Sequence, residues 1–405
     1  MKSKPTILAF NKYYLPGYRA GGPIRTLANM AERLGDDFCF RIVALDHDAG
    51  DPTPYLDVHR DCWRQFGKAQ VMHLAPADVS LRQVSQLVAL ANPDAIYLNS
   101  FFDPVFTQRV LWARRLRCIS KTPIIIAPRG EFSQGALGLK SLKKELYIRL
   151  TAATGLYRDL TWQASSIHER TDILCNLTFV APTDIRVAMN LAPLGEIPTI
   201  EEHGRRIGEP LRVCFLSRIS PMKNLDFALR ALATTTAQVV FTIYGPQASR
   251  AYWATCEAII ANLPSNITVR YEGPLHPRDV RQQLSKHDLF FLPTRGENYG
   301  HVIHEALSSG LTLLISDQTP WLEINERGVG WALPLDNEGA FAQKIDEFSS
   351  WDNHLIASAR RRAFEYARER SEKPEVIEAN RDLFLTAIAQ RSQAAGNLSS
   401  QKAGR

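Results

Sequence analysis

No stretch of this 405-residue chain holds the run of about 18 apolar residues that a membrane-crossing helix needs. Its start carries charged residues but no apolar core of about 7–15 residues, so no signal peptide is expected. Cysteine is scarce: Cys39, Cys62, Cys118, Cys175, Cys214 and Cys256 lie far apart and form no C-x-x-C pair. That spacing suggests neither a zinc site nor a redox motif. A cysteine inside an apolar run, as in Val213-Cys214-Phe215, reads as a small buried hydrophobe. A reduced, cytoplasmic protein is expected. The G-x-G-x-x-G spacing of a nicotinamide dinucleotide site is also missing. Neither sign of charge dominates. The formal net charge is +6 and the pI about 9.0, which suits an anionic nucleotide or a membrane surface. The charge is too small and too scattered for nucleic acid, and no nucleic-acid motif is present.

What is there is an ordinary enzyme composition, 45% hydrophobic and 22% charged, in a length that fits two domains better than one. Short apolar runs alternate with helical periodicity throughout. Strands are predicted at 6–10, 38–45, 70–74, 95–98, 122–127, 162–164 and 184–188, then at 211–216, 239–244, 267–271, 289–292 and 311–315. Such alternation predicts an α/β fold of doubly wound parallel sheets. The segment 193–210 is rich in Pro, Gly and charge and reads as a linker. It separates domains at 1–195 and 211–373. A helix at 374–390 and a polar tail at 391–405 follow.

The stretch from Leu289 to Ser316 organises the chain. It reads as strand, polar loop, helix and strand, with Glu297 in the loop and Glu305 in the helix. A helix start after a strand offers free N–H groups that suit a diphosphate. Gly300 permits close backbone approach. The two glutamates then either cap and solvate a helix or accept hydrogen bonds from the hydroxyl-rich parts of a ligand. A second strand–turn–helix carries two cations, Arg218 and Lys223, which can reach one anion. A third joins 6–10 to a helical pattern at Leu27 through a long loop containing Gly21, Gly22 and Pro23, with Arg25 just beyond. It is either a phosphate-type loop or a plain surface loop.

Other polar positions are more ambiguous. Asn99 and Ser100 follow a strand, where they either cap it or meet a ligand. Arg129 and Glu131 follow another, either pairing to fix the loop or facing a substrate. Asp46-His47-Asp48 looks superficially like a metal cluster, but no second ligand group supports it and no metal is expected. In LKSLKKELYIRL, 139–150, Leu139, Leu142, Leu146 and Ile148–Leu150 fall near one face, with Lys140, Lys143, Lys144 and Arg149 around it. This is either a core-facing helix with a basic back or a helix lying on an anionic membrane.

The string E-N-Y-G-H-V-I-H-E-A-L-S-S-G, Glu297 to Gly310, closely resembles the E-x7-E segment of retaining glycosyltransferases of family 4, which have the GT-B fold. Pro293 before it and Ser316-Asp317 after it match as well. Thr319-Pro320-Trp321-Leu322-Glu323, Gly328-Val329-Gly330-Trp331 and Pro128-Arg129-Gly130-Glu131 look like the bacterial polysaccharide and lipopolysaccharide branch. Arg218 to Lys223 resembles the pattern G-R-x-x-x-x-K-G, with Ser217 and Asn224 where glycines are usual. Ser165-Ser166-Ile167-His168-Glu169 resembles a strand end opening a helix, with either serine as cap. Asn190-Leu191-Ala192 resembles a degenerate P-N-G turn.

The resemblance implies two Rossmann-like domains facing a cleft, with the last helix crossing back to the N-terminal one. It implies transfer of a sugar, with retention, from a nucleotide-diphosphate sugar to a glycan or lipid-linked oligosaccharide in O-antigen, capsule or exopolysaccharide synthesis. The N-terminal domain would bind the acceptor and the C-terminal domain the donor. Arg218 and Lys223 would bind the diphosphate, Glu297 the sugar hydroxyls and Glu305 the ribose. Asn298, Tyr299 and Gly300 would complete the donor loop, and Gly21-Gly22 would close over the phosphates. Asn99, Arg129 and Glu131 would lie on the acceptor side, where the histidine usual in relatives is absent. No cofactor or metal is implied, and peripheral contact with the inner membrane surface through 139–150 is compatible. The alternatives are a non-catalytic sugar-nucleotide binding subunit, a nucleotide-sugar epimerase or a glycogen-phosphorylase-like enzyme on the same fold.

Overall fold

The computed structural model describes residues 3–76, 79–133, 137, 141–194 and 209–403. The chain divides into two compact units, one of 1–194 with 373–405 and one of 195–372. Most of the expected linker lies outside the described residues.

The first unit is built on an eight-stranded sheet: β1 Thr6–Phe10, β2 Cys39–Leu45, β3 Arg64–Phe66, β4 Ala69–Leu74, β5 Ala95–Asn99, β6 Ile124–Ala127, β7 Thr161–Ala164 and β8 Ile185–Val187. The order is β3-β4-β2-β1-β5-β6-β7-β8, parallel except for the short edge strand β3. Strand direction of growth reverses between β1 and β5, so the carboxyl ends of these two flank a topological switch point. Both faces of the sheet are buried, which is why its strands read as continuous apolar runs. On β1, Leu8 and Phe10 enter one core while Ile7 and Ala9 enter the other.

The second face is covered by α1, Gly22–Leu34, and by the last helix, Pro374–Ala403. Phe384 of the last helix packs against Phe38, Phe40 and Tyr97, with ring centroids 5.3–5.8 Å apart. Asn380, fully buried, donates to the carbonyls of Met189 and Val376. The C-terminal segment therefore belongs to the N-terminal sheet. Its backbone stays helical to Ala403, through the stretch that composition read as a tail: Gly396 alone does not stop a run otherwise rich in helix-compatible residues.

The second unit has a six-stranded, all-parallel sheet: β9 Leu211–Leu216, β10 Val239–Tyr244, β11 Ile267–Gly273, β12 Leu289–Leu292, β13 Thr312–Ser316 and β14 Gly330–Leu333. Its order is β11-β10-β9-β12-β13-β14, with the switch point between β9 and β12. One buried histidine, His287, and an ion pair lie near the start of β12. Asp288, wholly buried, takes two guanidinium bonds from Arg212, at 3.0 and 2.7 Å, and lies 3.6 Å from Arg360.

Two further expectations change. Helix α1 starts at Gly22 rather than after the loop, because Pro23 suits a first turn: its fixed φ is helical and its missing N–H is not needed there. The helix Ser141–Thr154 does not bury its leucines. Leu142, Leu146 and Leu150 are exposed, while Lys144, Tyr147, Ile148 and Thr151 turn inward. Spacing of four keeps the three leucines on one stripe and sends Ile148 to the other side. Positions 139 and 140 lie outside the described residues. The Asp46-His47-Asp48 cluster is committed to protein contacts: Asp46 pairs with Arg60 and with His47 Nδ1 at 2.9 Å, and Asp48 takes backbone N–H groups. Among the described residues no helix is long and apolar enough to cross a membrane.

Candidate active site

The switch point of the second sheet gathers the charged residues. β9 ends at Leu216 and leads into Ser217-Arg218. This turn lies so close to β10 that a Cβ on Gly245 would meet the Ser217 carbonyl at 1.8 Å, and only glycine fits. A 3-10 turn, Pro221–Lys223, follows. Asn224 then adopts φ 60°, ψ 39° and starts α2, Leu225–Leu232. That left-handed position explains why asparagine can stand where a glycine would be usual.

The loop after β12 is stitched to this turn. Arg295 N–H and the Thr294 hydroxyl both donate to the Met222 carbonyl, at 2.8 and 3.1 Å. Arg295 Nε donates to Asn224 Oδ1 at 3.0 Å. From the other side, Ser316 Oγ donates to the Thr294 carbonyl at 2.5 Å, and Glu297 N–H to the Gln318 carbonyl at 3.0 Å. The result fixes Glu297 against Lys223: Nζ lies 2.5 Å from Oε1, with the side chains 12% and 15% exposed. In such a shielded position the attraction is screened less than in a surface ion pair, and both charges have lost much of their hydration.

Arg218 stands apart. It is exposed and makes no hydrogen bond or ion pair among the described residues. Asn298 is half-buried, and its Nδ2 is buried without a hydrogen-bond partner among them. Tyr299 is buried, and its carbonyl accepts from Trp321 Nε1. Gly300, at φ 76°, opens the helix His301–Leu307, and a Cβ there would meet Ile303 Cδ1 at 2.8 Å. Glu305 sits in that helix, partly exposed. The helix is tied down by His304, whose Nε2 donates to the Ala367 carbonyl at 3.2 Å and lies 2.7 Å from Ser371 Oγ. Burial pushes the His304 imidazole down to about 4, so it is neutral at pH 7.

Gly21, Gly22, Asn99, Arg129 and Glu131 belong to the first unit. Gly21 has φ 70° and ψ −122°, a conformation open to glycine alone, and nothing among the described residues lies within 4 Å of a Cβ built on it or on Gly22. Asn99, at the end of β5, is buried. Its Oδ1 accepts from Arg129 Nε at 3.0 Å, and its Nδ2 has no partner among the described residues. Arg129 also donates to Asn190 Oδ1 and to the Tyr97 hydroxyl.

Glu131 does not pair with Arg129. Its carboxylate accepts from Ser100 Oγ at 2.6 Å and from Phe101 N–H at 2.5 Å. Burial pushes it up to about 7, against the pull of those bonds. Arg129 and Glu131 thus brace loops of their own unit. Ser166 is the cap of the helix Ile167–Asn176, and Glu169 reaches back to Ser165 and to Gly130 N–H.

Sequence reasoning missed the stitching residues Asn224 and Arg295 and the support from Trp321 and His304. The signals were present as residue types inside the quoted strings. Their partners lie from 22 to 71 positions away, beyond any local pattern.

Residues 197–370 match the family described as glycosyl transferases group 1. A Salmonella typhimurium protein named as the colanic acid biosynthesis glycosyltransferase WcaL is 26% identical over 165 residues, 39% of this chain, and the match spans only 41% of that relative. Among solved structures, Anabaena Alr3699/HepE in complex with UDP and glucose covers 98% of this chain and 100% of its own, at 20% identity and TM-score 0.65. A Rickettsia africae glycosyltransferase covers 95% and 99%, at 13% identity and TM-score 0.66. WaaG, a glycosyltransferase involved in lipopolysaccharide biosynthesis, covers 93% and 99%, at 14% identity and TM-score 0.63. At these identities the structural likeness speaks for the fold. The chain has the two-domain α/β GT-B fold, and the part of it that carries Arg218, Lys223 and the two glutamates is similar to glycosyl transferases group 1.

Proposed function

We propose that this protein is a retaining glycosyltransferase of family 4 that moves a sugar from a nucleotide-diphosphate donor to a glycan or lipid-linked acceptor in cell-surface polysaccharide synthesis. The observation that carries the reading is the Lys223–Glu297 pair, 2.5 Å apart at the switch point of an all-parallel sheet, with exposed Arg218 on the turn after β9. The family match over 197–370 and the UDP and glucose held by the Anabaena neighbour support the donor class.

In this reading Arg218 and Lys223 offset the charge that develops on the leaving diphosphate. Lys223 turns from Glu297 to the phosphate, which frees the Glu297 carboxylate for sugar hydroxyls. Glu305 takes the ribose, and Asn298 Nδ2, which has no hydrogen-bond partner among the described residues, is a donor for the same ligand. Gly21 and Gly22 are donor-binding residues in the same reading. Attack comes from the front face with the leaving phosphate assisting deprotonation of the acceptor, so no metal, cofactor or enzyme nucleophile takes part. The protein works in the cytoplasm. The exposed Leu142–Leu146–Leu150 stripe beside Lys143 and Arg149 supports peripheral contact with an anionic membrane face.

The test is a calorimetric screen against UDP, GDP, ADP and their common sugar conjugates, repeated with Arg218→Ala. Binding of one nucleotide sugar that is lost in the variant is expected, followed by transfer to acceptor glycans. Binding by the wild type with no turnover on any acceptor would favour a sugar-nucleotide binding subunit instead.

A further inference from the structure

The polar cluster after β2 is the one motif that the reading above leaves without a task. Asp48 is 6% exposed, yet it belongs to a loop rather than to either core. Its carboxylate collects three backbone N–H groups. Tyr18 N–H donates to Oδ2 at 2.8 Å, Arg19 N–H lies 3.1 Å from both oxygens, and Ala49 N–H donates to Oδ1 at 2.7 Å. Two of the three come from a different loop, the one after β1 that ends in Gly21 and Gly22.

That loop is fixed along its length. Asn11 Nδ2 donates to the Tyr13 carbonyl at 2.7 Å, and His73 Nε2 to the Leu15 carbonyl at 2.9 Å. Gly17 passes so close that a Cβ on it would meet the Tyr55 hydroxyl at 2.1 Å and the Asp48 carboxyl at 3.0 Å. Past Asp48 a single turn remains: Gly21 N–H donates to the Tyr18 carbonyl at 3.0 Å. The carboxylate therefore holds the residue that holds Gly21. Beyond the tip, nothing among the described residues lies within 4 Å of the Cβ positions of Gly21 and Gly22. A braced stem and an open tip are what a loop needs to present backbone N–H groups to a ligand without first paying to order itself. The Arg19 side chain adds only a surface pair to Asp51, 3.3 Å apart with both ends more than a third exposed, so the fixing acts on the backbone.

We propose that Asp48 is a positioning residue: its carboxylate fixes the stem of the loop that presents the backbone of Gly21 and Gly22 to a phosphate-bearing ligand. The inference rests on the donor reading above for its catalytic consequence but not for its mechanical one. Asp48 lies outside both cores and every strand pairing of its sheet, so Asp48→Ala is expected to act on the loop. A misplacement of about 1 Å in such a group costs on the order of 100-fold in turnover.

The experiment compares the wild type with Asp48→Asn and Asp48→Ala by two readouts. In amide hydrogen exchange, peptides covering residues 16–22 should exchange at least about 10-fold faster in Asp48→Ala, with β1 and β2 unchanged and Asp48→Asn intermediate, because its amide keeps one acceptor oxygen. In kinetics with UDP-glucose, kcat should fall about 10- to 100-fold, or KM rise about 10-fold, while the melting temperature moves by only a few degrees. Unchanged exchange at 16–22 would overturn the inference, as would wild-type kinetics in Asp48→Ala. So would a loss that follows global unfolding, with Asp48→Asn no better than Asp48→Ala. If the wild type neither binds nor turns over UDP-glucose or any other sugar nucleotide, the donor reading fails, and the exchange experiment alone still decides whether Asp48 holds the loop.

Discussion

Lys223 and Glu297 can be tested as a pair before any substrate is known. At 2.5 Å and with 12% and 15% exposure, the two charges are largely withdrawn from water. Removing one leaves the other in a site where it is poorly solvated. For a fully buried pair that costs about 3–5 kcal/mol. Here the remaining exposure lets water relieve part of it, so Lys223→Met or Glu297→Gln alone should cost about 1–3 kcal/mol. The double variant removes both charges together and should cost clearly less than the sum of the two, leaving a coupling of about 1–2 kcal/mol.

Urea unfolding of the four proteins gives the stability cycle. Transfer assays give a second cycle on the same set. If the pair is catalytic machinery, all three variants lose at least about 100-fold in kcat/KM, and the double variant stays inactive although its stability has recovered. Additive stabilities, with each single change costing under about 0.3 kcal/mol, would refute the ion pair. Recovery of transfer in the double variant would show that the pair only holds the loops together.

Three further outcomes follow from buried ionisable groups. Glu131 sits at about 7, above its unfolded value, so the folded state holds the extra proton and stability falls as pH rises from about 4.5 to 7. Glu131→Gln should lack that dependence, and its stability relative to wild type should rise by about 1–3 kcal/mol between pH 5 and 8 in thermal unfolding. His287 and His304 are pushed the other way, down to about 4 by burial, so stability is lost as pH falls from about 6.5 to 4; replacing either with glutamine should flatten that acid limb. Asp288→Asn breaks the paired Arg212 bonds and leaves Arg360 buried without its counter-charge, and should cost about 3–5 kcal/mol by urea unfolding, well above any change at the exposed Arg327–Glu369 pair.

Much of this was legible from residue order. Leu211–Leu216, Val239–Tyr244 and Leu289–Leu292 stand as strands where their apolar runs begin and end, because a parallel sheet buried on both faces demands continuous hydrophobicity. The left-handed turn at Gly300 was marked by residue type, because glycine takes a positive φ without a Cβ clash.

The sequence by itself determined the alternation of strands and helices, the segments that end at strand tips, and the residue types that can meet a diphosphate and a sugar. These depend on local backbone preference and on periodicity, which act over a few residues. Tertiary structure decided the rest: that Lys223 meets Glu297, that Arg129 turns inward to Asn99, Asn190 and Tyr97, that the leucines of Ser141–Thr154 face outward, and that Asp48 holds a loop 30 residues before it. Each is a meeting of chain segments brought together by sheet order, and sheet order is set by the packing of both cores, which no local stretch contains.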